Sequence, residues 1–147
     1  MKIAIAADHG GYAYKQALIP FIEELGHQVV DMGCNGPDSV DYPDYGLPCA
    51  KAVAAGEADF GVVICGTGVG ISITCNKVRG IRCALCGDPL TARLTREHNN
   101  ANMLAMGGRI IGMELAREIV RVFLSTDFLG GRHQKRIDKI SYYEEGR

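Results

Sequence analysis

Cys65 closes an apolar run and opens a run of glycines: Phe60-Gly61-Val62-Val63-Ile64-Cys65-Gly66-Thr67-Gly68-Val69-Gly70-Ile71-Ser72. The first half has the near-continuous apolar character of a buried parallel strand, and the second half reads as a loop opening a helix. Such a junction presents bare backbone N–H groups and the positive end of a helix dipole. A thiol placed there is drawn toward its thiolate, the form that serves as base or nucleophile. The chemistry on offer is therefore proton abstraction or nucleophilic attack beside a cradle for negative charge. A buried structural cysteine before a tight turn is the plainer alternative.

Other polar groups fall where they can join it. Asp8 and His9 end a short apolar run and precede Gly10-Gly11, so His9 is either a polar cap or a ligand group. Thr67 has a hydroxyl that either faces a ligand or stabilises the turn. His98-Asn99-Asn100-Ala101-Asn102 is a polar connection whose histidine is a candidate general acid or base. Arg132 and Arg136 stand four apart, on one face of a helix, and two guanidinium groups there suit a phosphate dianion. Arg109, after Gly107-Gly108, is a further anion ligand.

The spacing also excludes chemistry. Gly66-x-Gly68-x-Gly70 follows the third strand, and its last glycine comes one residue early for the dinucleotide fingerprint. A cysteine-phosphatase loop needs an arginine six residues after the nucleophile, and Ile71 stands there. Cys83 and Cys86 have C-x-x-C spacing in a strand-like segment, where residues three apart face opposite ways and cannot easily share a metal. Cys34, Cys49, Cys75, Cys83 and Cys86 read as structural, and no metal or organic cofactor is implied.

The elements that must position these groups alternate in type. Strands are expected at Lys2–Ala7, Gln28–Asp31, Phe60–Cys65, Ile81–Leu85 and Asn102–Met106. Helices are expected at Tyr12–Leu25, Asp44–Ala55, Val69–Asn76, Pro89–His98 and Met113–Leu124, with a last one over Arg132–Tyr143. Asp88 before Pro89 is an N-cap followed by proline at the first helical position. The alternation predicts a three-layer α/β fold of Rossmann or flavodoxin-like type, with a five-stranded parallel sheet in the order 2-1-3-4-5. That order sets strands 1 and 3 side by side, with Asp8 and His9 next to the Cys65 loop at the carboxyl edge.

The 147 residues are expected to form one domain, residues 1–147. Sixteen basic and seventeen acidic side chains nearly cancel, so no nucleic-acid partner is indicated. The first residues read as a strand rather than a secretion signal, and no apolar run approaches the ~20 residues of a membrane span. Reduced cysteines and these features fit a cytoplasmic protein without membrane association.

Taken together, the chain resembles the type B ribose-5-phosphate isomerases, in a family that also holds galactose-6-phosphate isomerase subunits. The resemblance is carried by Ala7-Asp8-His9-Gly10, Asp41-Tyr42-Pro43, Ile64 through Ile73, Arg93-Leu94-Thr95-Arg96-Glu97-His98-Asn99 and Gly130 through Arg136. The family uses either a cysteine base or a glutamate four residues later; Cys65 and Val69 match the cysteine style. The resemblance implies Cys65 as the proton-transferring base and His98 as the ring-opening acid–base group, with Thr67 assisting. It implies that Asp8, His9, Gly66, Thr67, Gly68, Val69, Gly70, Asn99, Arg109, Arg132 and Arg136 bind the sugar phosphate, with Tyr42 lining the pocket.

The reaction so implied interconverts ribose 5-phosphate and ribulose 5-phosphate through an enediolate, whose charge the loop N–H groups would stabilise. Isomerisation of a six-carbon aldose phosphate (allose or galactose 6-phosphate) is the alternative within the same chemistry. A non-catalytic flavodoxin-like binding module and a thiol redox protein are alternatives of other classes. Because a helix of about eleven residues separates the expected places of Cys65 and His98 by roughly 16 Å, the site is expected to be shared between subunits of a homodimer or higher oligomer.

Overall fold

The computed structural model describes residues 1–146. Its strands are β1 (Lys2–Ala7), β2 (Gln28–Asp31), β3 (Phe60–Cys65), β4 (Cys83–Leu85) and β5 (Met103–Gly107). Its helices are α1 (Tyr12–Glu24), α2 (Tyr42–Ala54), α3 (Val69–Cys75), α4 (Pro89–Asn99), α5 (Met113–Ser125) and α6 (Arg132–Glu144). The strands pair in parallel in one five-stranded sheet.

The strand order is β2-β1-β3-β5-β4, which corrects the expected 2-1-3-4-5. Burial explains the exchange. All five residues of β5 are buried, as an interior strand requires, whereas β4 has three residues and ends on exposed Leu85. β4 is also shorter than expected, because side chains take over its first backbone bonds. Asn102 Oδ1 accepts the Arg82 N–H at 2.8 Å, and Asn76 exchanges two hydrogen bonds with the backbone of Cys83. Such a strand suits the edge.

Side chains alternate along the strands into two apolar layers. Ile3, Ile5, Val62, Ile64, Leu104 and Met106 face α1 and α5, where Leu18, Ile22, Ile119 and Phe123 complete the layer. Ala4, Ala6, Val63, Cys65 and Ala105 face α2 and α3, against Cys49, Val53, Ile71 and Cys75. Lys15 is fully buried, with its ammonium 2.8 Å from both carboxylate oxygens of Asp31; the pair ties α1 to the end of β2.

The structural reading of the other cysteines fits their surroundings. All six are free thiols. A hydrogen bond with Cys75, and then burial, push the Cys83 thiol far up; burial does the same to Cys49. Burial, followed by the charge of Asp88, pushes Cys86 up to about 12. Among the described residues no helix is long and apolar enough to cross a membrane.

Candidate active site

Three glycine turns meet at the carboxyl edge of β1, β3 and β5. A Cβ on Gly10 would lie 3.0 Å from the Gly66 amide nitrogen, and one on Gly108 would lie 2.6 Å from the Gly10 carbonyl oxygen. The strand order brings the third turn in: Cys65 pairs with Gly107, and the Gly108 and Arg109 amides donate to the carbonyls of Cys65 and Gly66, both at 2.9 Å. Arg109 follows, its guanidinium over Gly66. The exchange of β4 and β5 is therefore what seats Arg109 beside Cys65.

Within this edge Cys65 is only 4 % exposed, and its sulfur accepts the Gly68 N–H at 3.1 Å. Gly68 has φ of 79°, the left-handed region that glycine adopts without strain, and this turn aims its amide back at the sulfur. Thr67 Oγ1 accepts the Val69 N–H at 3.2 Å, so the hydroxyl serves the turn while the residue remains exposed. Among the described residues the Thr67 and Gly70 amides meet no acceptor.

Asp8 is buried and spends one oxygen, Oδ1, on the Gly10 and Gly11 amides at 2.8 and 3.2 Å; it shapes the first turn. His9 Nδ1 accepts the Val40 N–H at 3.2 Å, tying the first turn to the approach to α2. The Tyr42 ring sits against Gly70, where a Cβ would come within 2.5 Å of it. Asp8, His9, Tyr42, Cys65, the loop from Gly66 to Gly70, and Arg109 thus form one cluster.

The remaining candidates form a second cluster at the opposite edge. α4 starts beyond β4, where the Asp88 carboxylate caps it by accepting the Thr91 N–H at 2.7 Å. It runs back against the strand direction to Asn102, whose carbonyl accepts the Gly61 N–H at the start of β3. Its eleven residues cover roughly 16 Å, so His98 and Asn99 lie near the amino edge of the sheet.

Two arginines hold that end rigidly. Arg82 donates to the carbonyls of Asn99 and Asn100, both at 2.9 Å. Buried Arg96 bonds Asn100 Oδ1, the Ala101 carbonyl and the Thr126 carbonyl, and lies over the rings of Phe60 and Phe123. Burial lowers the pKa of both guanidinium groups from their ordinary value. Arg132 and Arg136 are exposed on the first turns of α6, which packs on this end of α4.

One residue of this cluster escaped the sequence reading. His133 is buried, and its ring stacks on His98 with centroids 4.3 Å apart and planes 15° from parallel. Burial first, then the neighbouring His98, Arg132 and Arg136, lower its pKa. The available signal was the spacing of His133 and Ile137, four apart on the inward face of the basic helix. Among the described residues no three His, Cys, Asp or Glu side chains gather as a metal site requires.

The geometry thus offers a thiol beside loop amides at one edge of the sheet and a histidine with two exposed arginines at the other. The chain belongs to the ribose/galactose isomerase family, whose model matches residues 3–140. Ribose-5-phosphate isomerase B of Escherichia coli is 46% identical over 146 residues, covering 99% of this chain and 98% of that protein. The structure of Clostridium thermocellum ribose-5-phosphate isomerase B superposes with a TM-score of 0.98 at 52% identity, covering 99% of both chains. Ribose-5-phosphate isomerase B from Mycoplasma genitalium, solved with bound ribulose 5-phosphate, has a TM-score of 0.95 at 41% identity, with 99% and 97% coverage. The protein is a sugar phosphate isomerase of this family.

Proposed function

We propose that this isomerase interconverts ribose 5-phosphate and ribulose 5-phosphate, with Cys65 as the base. The observation that carries the reading is the Cys65 sulfur facing the Gly68 N–H inside an amide-lined loop. His98 passes a proton at the ring oxygen and frees the aldehyde. Cys65 then takes the proton from C2, beside the carbonyl. Negative charge moves onto the former carbonyl oxygen, where the loop amides stabilise the enediolate, and the proton returns to C1. Thr67 assists between the adjacent oxygens. Arg132 and Arg136 hold the phosphate, and binding there orients the reacting end.

The two clusters act together only across two chains. His98, Asn99, Arg132 and Arg136 travel as one unit, so the subunit that lends His98 also lends the arginines. Tyr42, Val69, Ile73, Leu85 and Ile110 are exposed apolar residues around the Cys65 turn and its helix. A second copy of the chain covering that patch would bring its α4–α6 end to Cys65, giving two equivalent sites in a symmetric dimer.

A six-carbon aldose phosphate is the second reading, favoured by the breadth of the family itself. Comparing kcat/KM on ribose 5-phosphate, allose 6-phosphate and galactose 6-phosphate decides between them. Preference for ribose 5-phosphate, abolished by Cys65→Ser, is the expected result; higher efficiency on a six-carbon sugar overturns the assignment.

A further inference from the structure

We propose that His133 is a positioning residue for His98: its ring lies flat on the His98 imidazole and fixes the plane in which that imidazole meets the sugar ring. The proposal rests on the reading of His98 as the ring-opening group.

A reacting histidine is ordinarily oriented by a hydrogen bond to its other nitrogen. Here, among the described residues, the His98 nitrogens have no such partner, and the stack with His133 is the contact its ring makes. Stacking holds a ring by its face and leaves both nitrogens open along its edge. That suits a group which must deliver a proton to O4 and receive one from the O1 hydroxyl as the C1–O4 bond breaks and the C1 carbonyl forms.

His133 is itself well anchored. It is 5 % exposed, it points inward with Ile137 one turn further along α6, and its amide bonds the Gly130 carbonyl at 3.2 Å. The Leu129 amide donates to the Glu97 carbonyl at 3.1 Å, stitching the approach to α6 onto the last turn of α4. The groups facing it are His98 and Glu97 from α4, and Arg132 and Arg136 from α6. Burial first, then repulsion with His98, Arg132 and Arg136, against the opposing Glu97, favour an uncharged His133. An uncharged His133 places no positive charge against the His98 face.

The substrates separate this role from a structural one. Ribose 5-phosphate closes through O4 into a furanose and must be opened. Ribulose 5-phosphate has its O5 blocked by phosphate, cannot form that five-membered ring, and reaches Cys65 already open. Exchange of its C1 hydrogen with solvent deuterium therefore needs the base but not ring opening. His133→Leu keeps the bulk without a flat face, and His133→Phe keeps the flat face without nitrogens.

Turnover of ribose 5-phosphate by His133→Leu should fall about 10- to 100-fold, while deuterium entry into ribulose 5-phosphate, followed by NMR, stays within about twofold. His133→Phe should retain turnover within about fivefold, with a denaturation midpoint matching the leucine variant. Exchange falling in step with turnover in His133→Leu would overturn the proposal, since His133 would then serve folding or phosphate binding. Equal loss in the two variants would overturn it too, because nitrogen chemistry rather than stacking would be responsible. A wild-type chain with neither turnover nor exchange would remove the ribose 5-phosphate reading and the proposal together, and that failure is visible before any variant is made.

Discussion

Replacing Gly68 with alanine tests the link between loop shape and chemistry most directly. At φ of 79° an L-residue costs roughly 1–2 kcal/mol. The new Cβ would also lie 2.5 Å from Leu85 Cδ1 and 2.7 Å from the Met106 carbonyl carbon. Leu85 is exposed and can swing aside, but Met106 belongs to the buried interior strand and cannot yield. The loop must move instead, adding about 1–3 kcal/mol of packing strain. Gly68→Ala should therefore lose roughly 2–5 kcal/mol of stability, which a typical domain survives.

The same movement withdraws the Gly68 N–H from the Cys65 sulfur. A hydrogen bond to a charged group contributes about 1.5–3 kcal/mol, so proton abstraction should slow roughly 10- to 100-fold. Denaturant unfolding followed by circular dichroism reads the first quantity; deuterium entry into ribulose 5-phosphate reads the second. Gly70→Ala is the control. Its Cβ would meet the end of the exposed Tyr42 ring at 2.5 Å, which can rotate away, so stability should change by less than about 1 kcal/mol. A folded Gly68→Ala chain within about threefold of wild type in exchange, or less than about 1 kcal/mol less stable, would refute the reasoning.

Replacing Arg132 or Arg136 should raise KM for ribose 5-phosphate far more than for unphosphorylated ribose, as charge-assisted phosphate bonds are lost; equal changes on both sugars would assign these arginines to folding or assembly. Cys65→Ala and His98→Ala chains, inactive alone, should regain activity when unfolded and refolded together, and heterodimers without activity would exclude a shared site. Hydrogen bonds from the Thr91 amide and hydroxyl lower the pKa of Asp88, so its capping contribution is present above the ordinary carboxylate pKa and is lost as pH falls through the lower folded value. The stability gap between wild type and Asp88→Ala should accordingly be flat near neutrality and close in acid, as measured by urea unfolding at several pH values. Exhaustive chelation should leave turnover unchanged, and activity recovered only with a divalent ion would contradict that expectation.

The elements were legible because their signals are local. Apolar runs and the Asp88-Pro89 cap mark β-α alternation within a few residues of each boundary. Strand order is not local: exchanging β4 and β5 leaves every propensity untouched. What decided it was the full burial of Met103–Gly107 against a three-residue β4, together with the Asn76 and Asn102 side chains that shorten β4. Likewise Cys65, Asp8 and His9 announced themselves by type at strand ends, whereas His133 is defined by a stack between two helices. Its ring contacts cross 35 positions of sequence between His98 and His133, beyond the reach of any motif.

The interlocked turns at Gly10, Gly66 and Gly108 also constrain how such a site can diversify. Each offers its neighbour a space already filled by backbone or by Arg109, so a side chain at one would displace another. The floor of the candidate site is therefore closed to side chains at these three positions, and variation is confined to what surrounds it. Tyr42, Val69, Arg132 and Arg136 are exposed and lie outside those three turns. Under the proposed function, sugars of different length are accommodated by change among those exposed residues, while the interlocked turns beside Cys65 keep their shape.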